Sequence, residues 1–346
     1  VPAVLTQEIC LCDECSRNKP RSQFSVANGV CLECFDRLYT FCEVCGVALR
    51  RNTRGGYYGP NARGMVHDGM NLCYDCYDRR VYDNDNRWKP TALDVSFATY
   101  DKIGSKRKYG VEVETADCHG YRRLRDRTKF GCKSDCSVSG MEFDSPILYG
   151  DEGLAYIREF LAYATDNDWY ADEDCGCHTH YDMRDESFEE CARVAYAYRK
   201  TNALWKSLVA QYRRNNSYSR TPYWTCADFR RCYDSYVDAV DAEHRDFAEF
   251  SSDVTEERHE ICNLTAYEAH CTFEIRVLEG TCDPKLICNW ITLNCRFIDA
   301  VKRMTFDEID EVFCGHSPSQ RRALGELIGD SELIEWIEER ASAVAR

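Results

Sequence analysis

The chain has 346 residues and 44% hydrophobic content, enough for two or three domains with a proper core. Its formal net charge of −15 argues against a general nucleic-acid binder, which needs a basic surface. No run approaches the roughly 18 apolar residues of a membrane span, and Val1 to Thr6 lacks the basic and apolar regions of a signal peptide, so a soluble cytoplasmic protein is expected.

Cysteine usage divides the chain. Nine of the 23 cysteines fall in the first 76 residues, mostly as C-x-x-C pairs. That spacing, with an odd total, fits metal binding in a reducing compartment better than a disulfide scaffold. Residues 1–80 are nearly neutral, with 10 Lys+Arg against 9 Asp+Glu, whereas the remainder carries −16. The acidic part suits divalent cations and a cationic or amine partner.

Residues 1–80 read as a tandem zinc-binding module. Cys12, Cys15, Cys31 and Cys34 form one set, with 15 residues between its pairs. Cys42, Cys45, Cys73 and Cys76 form a second, with 27 between. Four thiolates per set match tetrahedral structural Zn2+, giving two small modules of treble-clef or ribbon type. An interleaved pairing would use the same eight cysteines, and Cys10 and His67 are substitute ligands. Metal here replaces the core that so short a segment lacks. Docking onto a partner is the other role open to the module, and its near-neutral charge speaks against strong nucleic-acid affinity.

Residues 81–107 read as a linker and a leading strand, Leu93 to Tyr100, before a mixed α and β domain over 108–305. Short strands are expected near 110–115, 140–145, 177–183 and 271–278. Helical periodicity marks Gly153–Thr165, a long helix from Ser187 to Arg214, and Lys285–Met304, the last opened by Asp283-Pro284. A C-terminal helical segment, 306–346, holds one or two amphipathic helices between Arg321 and Val344. The fold class is α+β, with a mostly antiparallel sheet.

The strands carry the chemistry. Glu112 and Glu114, His178 and His180, and Glu274 and Arg276 each sit at i and i+2 of a β-like run. Alternate strand residues share a face. A single E-x-E has a plain reading as a solvated strand edge, but three charged pairs in one domain converge better as a site. Carboxylates with an imidazole suit Mg2+ or Mn2+, and a nearby arginine suits a phosphate. Cys175, Cys177, His178 and His180 leave a transition-metal site open as an alternative.

In order, Gly110-Val111-Glu112-Val113-Glu114, the run from Lys133 to Pro146, Cys175-Gly176-Cys177-His178-Thr179-His180, Arg214-Asn215-Asn216-Ser217-Tyr218 and the run from Phe273 to Thr281 resemble the amidoligase family. That family belongs with the carboxylate–amine ligases related to glutamine synthetase and glutamate–cysteine ligase. The resemblance spans about 108–305 and implies a glutamine-synthetase-like sheet. It implies an ATP-dependent ligase that forms an amide or peptide bond through an acyl phosphate, with catalytic Mg2+ or Mn2+.

On that resemblance Glu112, Glu114, Glu142, His178 and Glu274 are metal ligands, and His180 and Arg214 approach nucleotide phosphate. Arg276 faces the phosphate or acyl phosphate. The substrates are a carboxylate and an amine, with a peptide or protein recruited by the zinc modules as one form. Family members come from bacteria and their phages, which implies a bacterial or phage-encoded protein.

The chain departs from the family where its D-G-S turn reads Asp135-Cys136-Ser137, and where an apolar position is Cys177. Asp135 and Ser137 shape a turn or touch substrate. The basic run Arg122, Arg123, Arg125, Arg127 and Lys129 is a solvated loop or a phosphate contact, and Glu279 is a turn or site residue. Two other functional classes stay open: an inactive adaptor docked through its fingers, and a metal-dependent hydrolase.

Overall fold

The computed structural model describes residues 98–346, except 122–127, 135–137, 215, 256 and 346, together with shorter stretches of the first 97 residues. The chain divides into two compact units, Val1–Arg87 and Trp88–Arg346.

In the first unit, β1 (Ile9–Leu11) and β2 (Asn18–Pro20) form an antiparallel pair, followed by helix α1 (Leu32–Leu38). Five antiparallel strands then pair in chain order: β3 (Tyr39–Phe41), β4 (Ala48–Arg51), β5 (Tyr57–Tyr58), β6 (Arg63–His67) and β7 (Met70–Cys73). Cys12, Cys31 and Cys34 are buried, and their sulfurs lie within 4.8 Å of one another. The Cys31 amide donates to Cys12 Sγ at 3.3 Å. Val30 and Tyr39 complete a small core around them. Cys10, His67 and Cys73 are placed by their strands alone, and Cys15, Cys42, Cys45 and Cys76 lie outside the described residues.

The second unit is a mixture of helices and one six-stranded antiparallel sheet, ordered β12-β13-β11-β8-β10-β9. The strands are β8 (Tyr109–Glu114), β9 (Gly131–Lys133), β10 (Glu142–Asp144), β11 (Cys177–Asp182), β12 (Cys262–Asn263) and β13 (Thr272–Ile275). Helix α2 (Gly150–Asp166) and helix α8 (Pro284–Val301) share one apolar core with the inward residues of these strands. Asp283 caps α8 through the Lys285 amide, with Pro284 in the first turn, as the sequence predicts.

The expected long helix from Ser187 to Arg214 is broken. It runs as α3 (Phe188–Lys200), α4 (Asn202–Lys206) and a 3-10 turn, Gln211–Arg213. Thr201 marks the first break, its hydroxyl donating to the Ala197 carbonyl and accepting from the Trp205 indole. The second break follows because the Ala210 amide leaves the helical pattern for the Glu279 carboxylate.

Between Cys226 and His270 lie α5 (Cys226–Ala239), α6 (Phe247–Val254) and α7 (Thr265–His270). The tail holds α9 (Phe306–Val312) and then two helices over the expected span Arg321–Val344, α10 (Ser317–Ile328) and α11 (Ser331–Val344), as the sequence predicts. Gly329, at φ 65°, ends α10 in the left-handed region that favours glycine. Ala98–Tyr100, the described end of the expected leading strand, form no strand. No described helix is long and apolar enough to cross a membrane.

Candidate active site

Strand alternation sorts the side chains. Tyr109, Val111 and Val113 of β8, Phe143 of β10, Cys177 and Tyr181 of β11, and Phe273 and Ile275 of β13 enter the core. Glu112, Glu114, Glu142, Asp144, His178, His180 and Glu274 therefore take the opposite face. Register brings them together: His178 lies opposite Glu112, His180 opposite Glu274, Glu142 opposite Glu114 and Asp144 opposite Glu112.

All of these but Asp144, which lines the adjoining cavity, line a cavity of about 610 Å³, together with Lys133, Arg213, Arg258, His270 and Arg276. Ligand atoms of Glu112, His178 and Glu274 lie within 4.8 Å of one another, and so do those of Glu112, Glu142 and Asp144. His178 Nδ1 is 3.2 Å from Glu112 Oε2 and 3.4 Å from Glu274 Oε1, and its Nε2 is 3.8 Å from Glu114 Oε1. His180 spans Glu112 Oε1 at 3.2 Å and Thr272 Oγ1 at 3.0 Å. Asn263 donates to Glu274 Oε2 at 2.6 Å, while Arg276 pairs with the other oxygen, Oε1. A second cavity of about 540 Å³ adjoins, sharing Glu112, Lys133, His180 and His270 and continuing over Gly110, Pro146 and Ile147.

The electrostatics are those of crowded charge under burial. Burial pushes the Glu112 carboxyl up, but His178 and His180 more than offset it and hold it well below its ordinary range. Burial pushes the His180 imidazole down, and the Glu112 carboxylate raises it past its ordinary value. For Glu142, burial and then the charges of Glu112 and Asp144 push the carboxyl up, with Lys133 opposing. A site that holds this many carboxylates on one face attracts a cation.

Several sequence-predicted residues fall elsewhere. Arg214 is not brought to the cavity: its guanidinium donates to the carbonyls of Val209 and Val344. Its neighbour Arg213 lines the cavity instead, buried, with Nη2 donating to the Arg276 carbonyl at 2.9 Å. Glu279 accepts from the Ala210 amide and pairs with Arg340. The alternative site of Cys175, Cys177, His178 and His180 does not assemble among the described residues. Cys177 alternates with His178 and faces the core, while Cys175 Sγ donates to Asp172. Burial pushes both thiols up. Asp135, Ser137 and the basic run from Arg122 to Arg127 lie outside the described residues.

Sequence reasoning missed Asp144, Lys133 and Asn263. Asp144 carried the same signal as Glu142, two positions along one strand. Gly176, within the Cys175–His180 motif, has a role that only the structure shows. A Cβ there would stand 2.8 Å from both Arg213 Nη2 and His178 Nε2, so only glycine lets these two approach.

Residues 92–298 match the model of a family described as "Putative amidoligase enzyme". The chain belongs to this amidoligase family. Amidoligase membership places it with ligase-type enzymes. No curated protein matches significantly. Among solved structures, a bifunctional glutathione synthetase from Pasteurella multocida is similar at 12% identity and a TM-score of 0.37, over 70% of this chain and 47% of that one. The chain spans about half the length of that enzyme, and a likeness this distant carries no argument about substrate.

Proposed function

We propose that this amidoligase joins a carboxylate to an amine with ATP, through an acyl phosphate that the amine then attacks to release phosphate. The observation that carries the reading is the convergence of Glu112, His178 and Glu274 within 4.8 Å, in a cavity that Arg213 and Arg276 also line. Three hard or borderline donors at that spacing fit Mg2+ or Mn2+. Glu112, His178 and Glu274 would hold one ion, and Glu142 with Asp144 and Glu112 a second. Such an ion, when bound, neutralises charge on a transferring phosphoryl group.

The remaining roles belong to the chain's own side chains. Arg213 and Arg276 orient phosphate oxygens, and Lys133 adds a cation where the two cavities meet. His180, fixed by Thr272, sets its other ring nitrogen against Glu112 and lines the same space. Glu114 accepts from the Gly176 amide and so anchors the entrance of β11. In the first unit, Cys12, Cys31 and Cys34, with Cys15, would hold structural Zn2+, and Cys42, Cys45, Cys73 and Cys76 a second ion. The zinc modules would recruit a peptide or protein carrying one substrate group.

The test is ATP turnover with Mg2+ or Mn2+ and a pool of carboxylates, using hydroxylamine to trap acyl phosphate. Hydroxamate and ADP from the parent but not from Glu112→Gln or Glu274→Gln support the proposal. Failure to bind any nucleotide overturns it. Hydrolysis of an amide without ATP would move the site to the hydrolase class.

A further inference from the structure

We infer that Arg340, on the C-terminal helix α11, is a positioning residue that aims Arg213 into the active-site cavity. The inference rests on the ligase reading for its functional consequence, but its structural half stands alone. The family match ends at residue 298, so this contribution comes from outside the matched region.

Arg213 needs a fixed backbone. It is 1% exposed; among the described residues its Nε has no hydrogen-bond partner, and its Nη2 donates to the Arg276 carbonyl. A guanidinium so buried is aimed by the main chain that carries it, the turn Gln211–Arg213 that starts from Ala210. The four residues before that turn are each tied down. Leu208 O accepts from Arg340 Nε at 3.0 Å, and the Ala210 amide donates to Glu279 Oε2 at 3.2 Å. Glu279 Oε1 pairs with Arg340 Nη2, so one guanidinium closes both ties. Arg321 Nη1 on α10 donates to Ser207 Oγ at 3.2 Å. Val209 O accepts from Arg214, whose Nη2 reaches Val344 O on α11 at 2.7 Å.

Glu279 is also joined to the metal-ligand strand. Residues Gly176 and Glu279 form an antiparallel bridge, and the Gly280 amide donates to the Cys175 carbonyl. Glu279 thus links three pieces: its backbone bridges to the start of β11, and its carboxylate joins the segment that carries Arg213 to α11. Arg340 supplies the countercharge that lets Glu279 sit there buried. Loss of Arg340 frees the 207–210 segment and moves Arg213, while Glu112, His178 and Glu274 stay on their strands.

The test compares the full-length parent with Arg340→Met, Arg340→Lys and the double variant Glu279→Gln, Arg340→Met, which leaves no unpaired buried carboxylate. Three quantities are read: amide hydrogen exchange over 207–214, Mn2+ affinity by electron paramagnetic resonance, and Mg2+-ADP affinity by calorimetry. The expected result is faster exchange over 207–214 and about tenfold weaker ADP binding in Arg340→Met and the double variant, with Mn2+ affinity unchanged and partial recovery in Arg340→Lys. ADP affinity within twofold of the parent overturns the inference. So does a parallel loss of Mn2+ and ADP binding in the double variant, which would mean general destabilisation. If the parent binds no ADP, the ligase reading fails, and unchanged exchange over 207–214 would then overturn the positioning role separately.

Discussion

Lys133 Nζ lies 2.5 Å from Glu142 Oε1 and reaches Asp144 Oδ1 at 3.2 Å, so one ammonium serves two carboxylates of a cluster that Glu112 completes. A divalent ion and this ammonium answer the same negative charge. Lys133→Met should therefore lower the melting temperature without added metal by about 4 °C or more, because buried carboxylates lose their partner. Added Mn2+ should then raise the variant's melting temperature by more than the parent's. Equal Mn2+ shifts in calorimetric scans would show that lysine and metal do not share the cluster.

Gly176→Ala tests the packing between Arg213 and His178. The added methyl would meet Arg213 Nη2 and His178 Nε2 at 2.8 Å each, and both must give way. The expected outcome is a folded protein whose Mn2+ affinity falls about tenfold or whose nucleotide affinity falls similarly. Both affinities unchanged would mean that the site tolerates the displacement.

Removing a thiolate tests the first unit. Cys34→Ser takes one donor from the Cys12, Cys31 and Cys34 group. Zinc content by atomic absorption should fall by about one ion per chain, with loss of the structure around Cys12 and Cys31. The calorimetric transition of the second unit should persist. An unchanged zinc content would remove Cys34 from the ligand set.

Acid stability reads a different cluster, away from the proposed metals. Arg107 pairs with Glu186 and Asp299 at 2.6 Å each, and Lys302 reaches Glu186 at 2.7 Å. Burial pushes the Glu186 carboxyl up, but Lys302 and Arg107 more than offset it and hold it below its ordinary value of 4.5. The native state therefore favours the ionised form. Its stabilisation is fully present above about pH 4.5 and is lost as the pH falls through the lowered native value. Glu186→Gln should cost about 3 kcal/mol at pH 7 in urea unfolding, and less at pH 3. An equal loss at both pH values would contradict the charge argument.

The alternation of β8 and β11 was legible because its period is local. Glu112 and Glu114, or His178 and His180, announce a face within three residues, and the structure carries those faces into one cavity. Asp144 bore the same signal beside Glu142 and was overlooked for lack of a second marker. Arg213 and Arg214 show where local reading ends. Two adjacent arginines differ only in which way a 3-10 turn sends them, and that turn is set by Glu279, far along the chain. The two helix breaks, at Thr201 and before the 3-10 turn, are of the same kind, since periodicity continues while Thr201 redirects the backbone at the first and Glu279 at the second. Strands β9 and β12 are too short to show a period, although Asn263 on β12 holds Glu274.

One sheet presents Val111 and Val113 to the core and Glu112 and Glu114 to the cavity, along six consecutive residues. Inserting a single residue in β8 would exchange the two sets. Such a change would bury carboxylates in hydrocarbon and expose valines, so the protein would fail to accumulate before it failed to react. In a mutant library, a screen for soluble expression alone would therefore discard frame-preserving insertions in these strands, and the survivors would be enriched for chains whose carboxylates and imidazoles still share a face.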